Sequence, residues 1–87
     1  MNTVRLESRF NAADGLTPVL AAEIAKRASQ YESRLSIELG GKAIRIESLI
    51  SVLSMELRRG LKLSIIGEGE DAQAAAESLR DLLEEGA

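Results

Sequence analysis

The sequence predicts an α+β fold, a two-layer sandwich in the element order β-α-β-β-α-β-α. Three observations predict it. Four segments alternate apolar with polar residues, the period of a strand with one buried face. Three others repeat apolar residues three and four positions apart, as a helix with one buried stripe does. Glycine-bearing turns stand between most of these segments. With one apolar face per strand, helices laid on a single side of the sheet bury both partners.

In the first strand Val4, Leu6, Ser8 and Phe10 alternate with Arg5, Glu7, Arg9 and Asn11. Asn11-Ala12-Ala13-Asp14-Gly15 is a loop. Thr17 is a good helix N-cap, and Pro18 suits the first helical position, where its missing N–H costs nothing. Leu20, Ile24, Ala28 and Tyr31 then mark one face of a helix of about 12 residues. Leu35, Ile37 and Leu39 alternate with Ser36 and Glu38 as a second strand, and Ile44 and Ile46 carry a third strand back. Between them Gly40-Gly41 makes a tight hairpin turn, since both residues tolerate positive φ. A second helix opens at Ser48 and is expected to stop near Gly60, with Arg58 and Arg59 at its negative C-terminal end. Leu61, Leu63 and Ile65 form the fourth strand, followed by Gly67-Glu68-Gly69. The last helix sets Ala72, Ala75, Ala76, Leu79, Leu82 and Leu83 on one face, with acidic residues expected in its first turn. The alternate strand positions Arg5, Glu7, Arg9, Ser36, Glu38, Arg45, Lys62 and Ser64 predict a wet second face of the sheet.

Composition excludes several functions. The chain has 87 residues, enough for one domain over residues 1–87 and a modest core. Its only aromatics are Phe10 and Tyr31, so an aliphatic core and no base-stacking surface are expected. Net charge is −3, and the sequence shows no basic face for a phosphate backbone, so no nucleic-acid partner is expected. There is no cysteine, which removes disulfide and thiolate chemistry. No apolar run approaches membrane-spanning length and no signal-peptide pattern opens the chain. A cytoplasmic protein without membrane contact is the expectation. Glu68-Gly69-Glu70-Asp71 lacks the alternating ligands of a calcium loop and reads as helix capping, so no metal is expected. Ser51 and Ser54 have no base to activate them. Nothing assembles a nucleophile, base and orienting group, so neither enzyme activity nor a cofactor is expected.

The helix from Ser48 is the most informative segment. Leu49, Ile50, Val52, Leu53, Met55 and Leu57 cover an arc of about 220° at 100° per residue. A small domain buries roughly half of that. Val52 and Met55 are expected to pack on the sheet, leaving Leu49, Ile50 and Leu53 for a protein partner. Each of those three contributes roughly 2 kcal/mol on leaving water, before ordering costs. Packing under a loop, or against a second copy in a homodimer, would use the same residues.

The element order, Gly15 leading into the first helix, the Gly41-Lys42 turn, the Ser48-Leu49-Ile50 helix start and the final helix together resemble the histidine-containing phosphocarrier protein HPr of the bacterial sugar phosphotransferase system. The resemblance spans nearly the whole chain. It implies an open-faced sandwich, a four-stranded antiparallel sheet covered on one face by three helices. It also implies a pattern Gly-x-His-x-Arg-Pro at the first helix, whose histidine carries the phosphoryl group and whose arginine stabilises it. This chain reads Gly15-Leu16-Thr17-Pro18-Val19-Leu20. Thr17 stands in the histidine's place, Val19 in the arginine's and Leu20 in the proline's. The chain contains no histidine at all. A threonine forms a stable ester where the relay needs a labile phosphoramidate, so phosphohistidine transfer is not expected.

Thr17 has a plain role as N-cap, worth roughly 1 kcal/mol against alanine, and a sharper one as phosphoacceptor at the anion-binding end of a helix. The nearest cations along the helix, Lys26 and Arg27, lie two or more turns on, which favours the plain role. Ser48 corresponds to the serine that a dedicated kinase phosphorylates in Gram-positive members, whose modified form binds a transcriptional regulator. The catabolite-repression HPr paralogue lacks the histidine and keeps that serine, a similarity this chain shares. A dianion at a helix N-cap meets free N–H groups, but the carboxylate of Glu47 repels it, and serine is a favoured cap in any helix. The resemblance also places the partner-docking patch at Leu16, Thr17, Leu49, Ile50 and Leu53. Two functions remain: a regulatory or docking protein acting on a regulator, a kinase or itself, and a residual phosphotransfer component using Thr17 or Ser48.

Overall fold

A computed structural model describes residues 2–86, and its seven elements follow the expected order. They are β1 (Thr3–Phe10), α1 (Pro18–Ser29), β2 (Arg34–Leu39), β3 (Lys42–Arg45), α2 (Leu49–Leu53), β4 (Leu61–Glu68) and α3 (Ala72–Glu85). The strands make one antiparallel sheet in the spatial order β1-β4-β2-β3. Gly40 and Gly41, at φ 56° and 85°, close the β2–β3 hairpin. Ile46 lies just past β3, yet its N–H still donates to the Leu35 carbonyl at 2.8 Å and its side chain is buried.

The helices cover one face. Phe10, Leu35, Ile37, Leu63 and Ile65 point from the strands into the core. They meet Leu20 and Ile24 of α1, Val52 of α2, and all six expected residues of α3, from Ala72 to Leu83. Ala28 and Tyr31 are half-buried at the rim. Gly67 faces the same layer, where a Cβ would lie 3.1 Å from the Ala72 carbonyl oxygen, so its missing side chain lets the start of α3 approach β4.

The opposite face is polar, as expected, with one exception. Ile66 lies between Arg5 and Ser36 in the cross-strand row and is half-buried there. The Arg5 guanidinium reaches across β4 to the Glu38 carboxylate, and the Ser64 hydroxyl donates to Glu7 at 2.9 Å. Ser64 is buried beneath these longer side chains, although it sits on the open face. The Arg5 hydrogen bond holds the Glu38 carboxyl below its ordinary value.

Three expectations are corrected. The second helix does not run to Gly60: α2 ends at Leu53. Met55 and Glu56 close tight turns onto the carbonyls of Val52 and Leu53, and Glu56 then takes a left-handed φ of 52°. That reversal frees the backbone to bury Leu57 beside Met55, whereas a continued helix would carry it away from the sheet. The fourth strand runs on through Gly67 to Glu68, because Thr3 and Arg34 both pair with Glu68. The first turn of α3 holds no acidic residue, and the Asp71 side chain does not cap its own helix. It turns instead to the loop before β2, accepting from the N–H groups of Glu32 (2.9 Å) and Ser33 (2.8 Å) and from the Ser33 hydroxyl. Those donors, the hydroxyl foremost, hold its carboxyl below the ordinary aspartate value.

Candidate functional site

Thr17 and Ser48 both sit in extended backbone directly before a helix, where a short side-chain oxygen reaches a free N–H. Thr17 Oγ1 accepts from the Leu20 N–H at 3.1 Å. Ser48 Oγ accepts from the Ser51 N–H at 3.4 Å, while Ser51 Oγ accepts from the N–H groups of Ser48 and Glu47, each at 3.0 Å. This reciprocal cap gives Ser51 a structural role that the sequence reading did not assign. It explains how a helix of five residues is held at its start.

The apolar residues of α2 divide as expected. Val52 and Met55 are buried, whereas Leu49 is 40%, Leu53 42% and Ile50 77% exposed. Val19, in the first turn of α1, is 75% exposed. These are the exposed large apolar side chains among the described residues, and they lie on two helices that pack against each other. Val19 had been noted only for the residue it replaces in the family pattern.

Leu16 and Leu53 line one groove of about 590 Å³, together with Leu39, Met55, Leu57, Leu61, Glu56 and Arg58. Thr17 and Val19 line a separate hollow of about 250 Å³ with residues 12–15, Leu20, Glu85 and Gly86. The five residues expected to dock a partner therefore do not share one concavity: Leu16 and Leu53 line the groove, and Thr17 lines the neighbouring hollow. Ser48, before α2, and Leu49 and Ile50 in its first turn are exposed and line neither. Leu39, Leu61 and Arg58 as groove residues, and Glu85 beside Thr17, were not singled out from sequence. Helical or strand period does not reveal such neighbours, because fold closure brings them together.

The charges around the two hydroxyls differ. The hollow at Thr17 carries the carboxylates of Asp14 and Glu85 and no cation, a poor setting for a phosphoryl dianion. Beside Ser48, Glu47 is paired with Arg45 at 3.9 Å, both side chains being at least half exposed. The repulsion expected of Glu47 is thus partly offset by a neighbouring guanidinium. Among the described residues no cluster of three metal-ligating side chains occurs, and no helix is long and apolar enough to cross a membrane.

Comparison with known proteins agrees with this architecture. A family profile described as "PTS HPr component phosphorylation site" matches residues 5–85. The phosphocarrier protein HPr of Borreliella burgdorferi is 38% identical over 81 residues, covering 93% of this chain and 94% of that one. The HPr of Haemophilus influenzae is 35% identical over 72 residues, covering 83% and 85%. Among solved structures, the crystal structure of Bacillus anthracis HPr superposes with a TM-score of 0.87 at 25% identity, covering 95% of this chain and 99% of that one. The catabolite repression protein Crh of Bacillus subtilis, crystallised as a swapped, intertwined dimer, is similar at a TM-score of 0.74 and 30% identity, covering 82% of each chain.

Proposed function

Since the chain belongs to the HPr phosphocarrier family of the bacterial phosphotransferase system, we propose that it is a docking and regulatory member that carries no phosphohistidine. It acts by presenting Leu49, Ile50 and Leu53, with Leu16 and Thr17 alongside, to a regulator, a kinase or a second copy of itself. The single observation that carries this reading is the exposure of three large aliphatic residues on α2 beside the groove lined by Leu16 and Leu53. Leaving such residues in water has a cost that a binding surface explains. The carrier chemistry is missing on the same side of the molecule: the chain has no histidine, and the hollow at Thr17 holds carboxylates in place of a cation. The protein is therefore neither a carrier nor an enzyme on this reading.

The second reading keeps a hydroxyl as phosphoacceptor, and of the two candidates Ser48 is favoured. It is exposed, stands at a capped helix start and has Arg45 nearby through Glu47. Phosphorylation there would add charge at the edge of the apolar patch and so control what docks on it. Used in that way, Ser48 switches the docking surface and relays nothing.

Titrating isotope-labelled protein with the purified HPr kinase, or with the first enzyme of the system, tests the surface. Chemical-shift changes are expected at Leu16, Leu49, Ile50 and Leu53 with at least one of them. Leu53→Asp is expected to abolish the changes while circular dichroism stays native. Changes confined to the open sheet face, or loss of the fold in Leu53→Asp, would overturn the assignment.

A further inference from the structure

Arg9 and Lys62 stand directly opposite each other where β1 pairs with β4, and both are exposed on the helix-free face. At the other end of this ladder the Gly69 N–H donates to the Asn2 carbonyl at 2.8 Å. Hydrogen bonds are therefore exchanged at the even-numbered residues of β1, and Arg9 with Lys62 is a pair without them. Side chains across such a pair come closest, and like charges placed there repel. Nothing beside them relieves the repulsion. The carboxylates of the adjacent row, Glu7 and Glu38, are engaged by Ser64 and Arg5. Among the described residues neither Arg9 nor Lys62 forms an ion pair.

Two more cations join them. The turn that leads into β4 folds onto the end of β1: the Gly60 N–H donates to the Phe10 carbonyl at 2.7 Å, and the Leu61 N–H to the Arg58 carbonyl at 3.0 Å. Gly60 makes this turn at a φ of 88°. Arg58 and Arg59 are thereby held just beyond Lys62, exposed, and without an ion pair among the described residues. Arg58 also lines the groove beside Leu53, which marks where the two surfaces meet. Four uncompensated cations thus share one corner of a chain whose net charge is −3. Arg9 is remote from the other three in sequence, so only the closed sheet reveals the cluster.

The corner is basic, short and bounded. Strand spacing and rise spread its cations over roughly 10–15 Å, the length of about four extended residues. Glu7 and Glu38 border it on the sheet, and Glu56 stands with Arg58 on the groove side. A nucleic-acid backbone would overrun these limits onto carboxylates. It would also find no ring to stack on, because Phe10 is fully buried and Tyr31 lies before β2 at the far end of the sheet. A short acidic segment fits. Guanidinium groups take carboxylates through paired hydrogen bonds, and arginine clusters recur as readers of acidic motifs. Such a segment supplies the counter-charges that the fold withholds. The geometry points to a second docking surface, formed by Arg9, Arg58, Arg59 and Lys62, for a short acidic segment of a partner protein. It goes beyond the α2 reading, since Ser48, Leu49 and Ile50 take no part in it.

Titration of the isotope-labelled full chain with an oligoglutamate peptide, at low and at physiological salt, tests it. Amide shifts are expected at Arg9, Arg59, Gly60 and Lys62, with affinity falling as salt rises. Lys62→Glu turns the repulsion across the strands into an attraction. It is expected to raise the thermal midpoint while weakening the peptide by about tenfold or more. R9Q/K62Q, which only removes charge, weakens the peptide likewise and keeps native circular dichroism. Arg34→Gln, at the other end of the same face, and Ile50→Asp leave the affinity unchanged. Absence of shifts at low salt would overturn the proposal, since the cations would then only guard the strand ends. So would a peptide weakened as much by Arg34→Gln as by R9Q/K62Q, or an oligothymidylate of equal charge that binds more tightly than the peptide.

Discussion

Asp71 ties the start of α3 to the loop before β2, and its three donors all favour the charged carboxylate. Its ordinary value is 3.8, and the folded value lies lower. A group with a depressed folded value contributes stability that is present above its unfolded value and is lost as the pH falls through the folded one. Urea unfolding of wild type is therefore expected to weaken more steeply below about pH 4 than that of Asp71→Asn, which keeps the shape without the titration. Equal acid slopes would remove Asp71 from the account. Glu38, held low by Arg5, adds a contribution of the same sign that survives in the variant. Gly69 belongs to the same joint. Its φ is 146°, and a Cβ would stand 2.9 Å from Ser33 Cα. Gly69→Ala is accordingly expected to destabilise by more than about 1 kcal/mol in the same urea assay, and an unchanged midpoint would contradict the close approach. Thr17→Ala, which removes one cap bond, should cost roughly 1 kcal/mol.

At the scale of elements, α2 separates what local pattern can reveal from what it cannot. The strands were legible because alternation is a two-residue property, and α1 and α3 because their stripes are long and regular. The N-caps at Thr17 and Ser48 were legible for the same local reason, and so was the division of α2 into buried and exposed sides. The end of α2 was not. The apolar run continues through Met55 and Leu57, past the end of the helix, and both are buried, yet Leu57 reaches the core by way of a left-handed Glu56. Nothing in a glutamate signals that reversal. The role of Asp71 was hidden for a different reason: its partners lie 38 and 39 positions away in the chain. If Leu57 is a core residue carried in by the loop, Leu57→Ala should cost about 2–5 kcal/mol. A surface-like loss, measured by thermal unfolding, would argue that the loop is loosely held.

The whole molecule divides its work between its surfaces. The core and the Asp71 joint hold the sandwich, the open sheet face is largely a screen of paired charges, and the α2 face with its groove is the surface we propose for a partner. Thr17 lies beside this surface among carboxylates, so it can be part of the contact without being a phosphoryl carrier. Leu49, Ile50 and Leu53 were readable in sequence as excess apolar arc, and Leu16 and Thr17 only through the family resemblance, but which of them share the groove depends on how the elements close together. The measurement that tests the central claim most directly is intact mass after incubation with phosphoenolpyruvate and the first enzyme of the system, with a true HPr in parallel. The account predicts that the control gains a phosphoryl group and this chain gains none. A labelled chain, with the phosphate mapping to Thr17, would contradict it and restore a carrier.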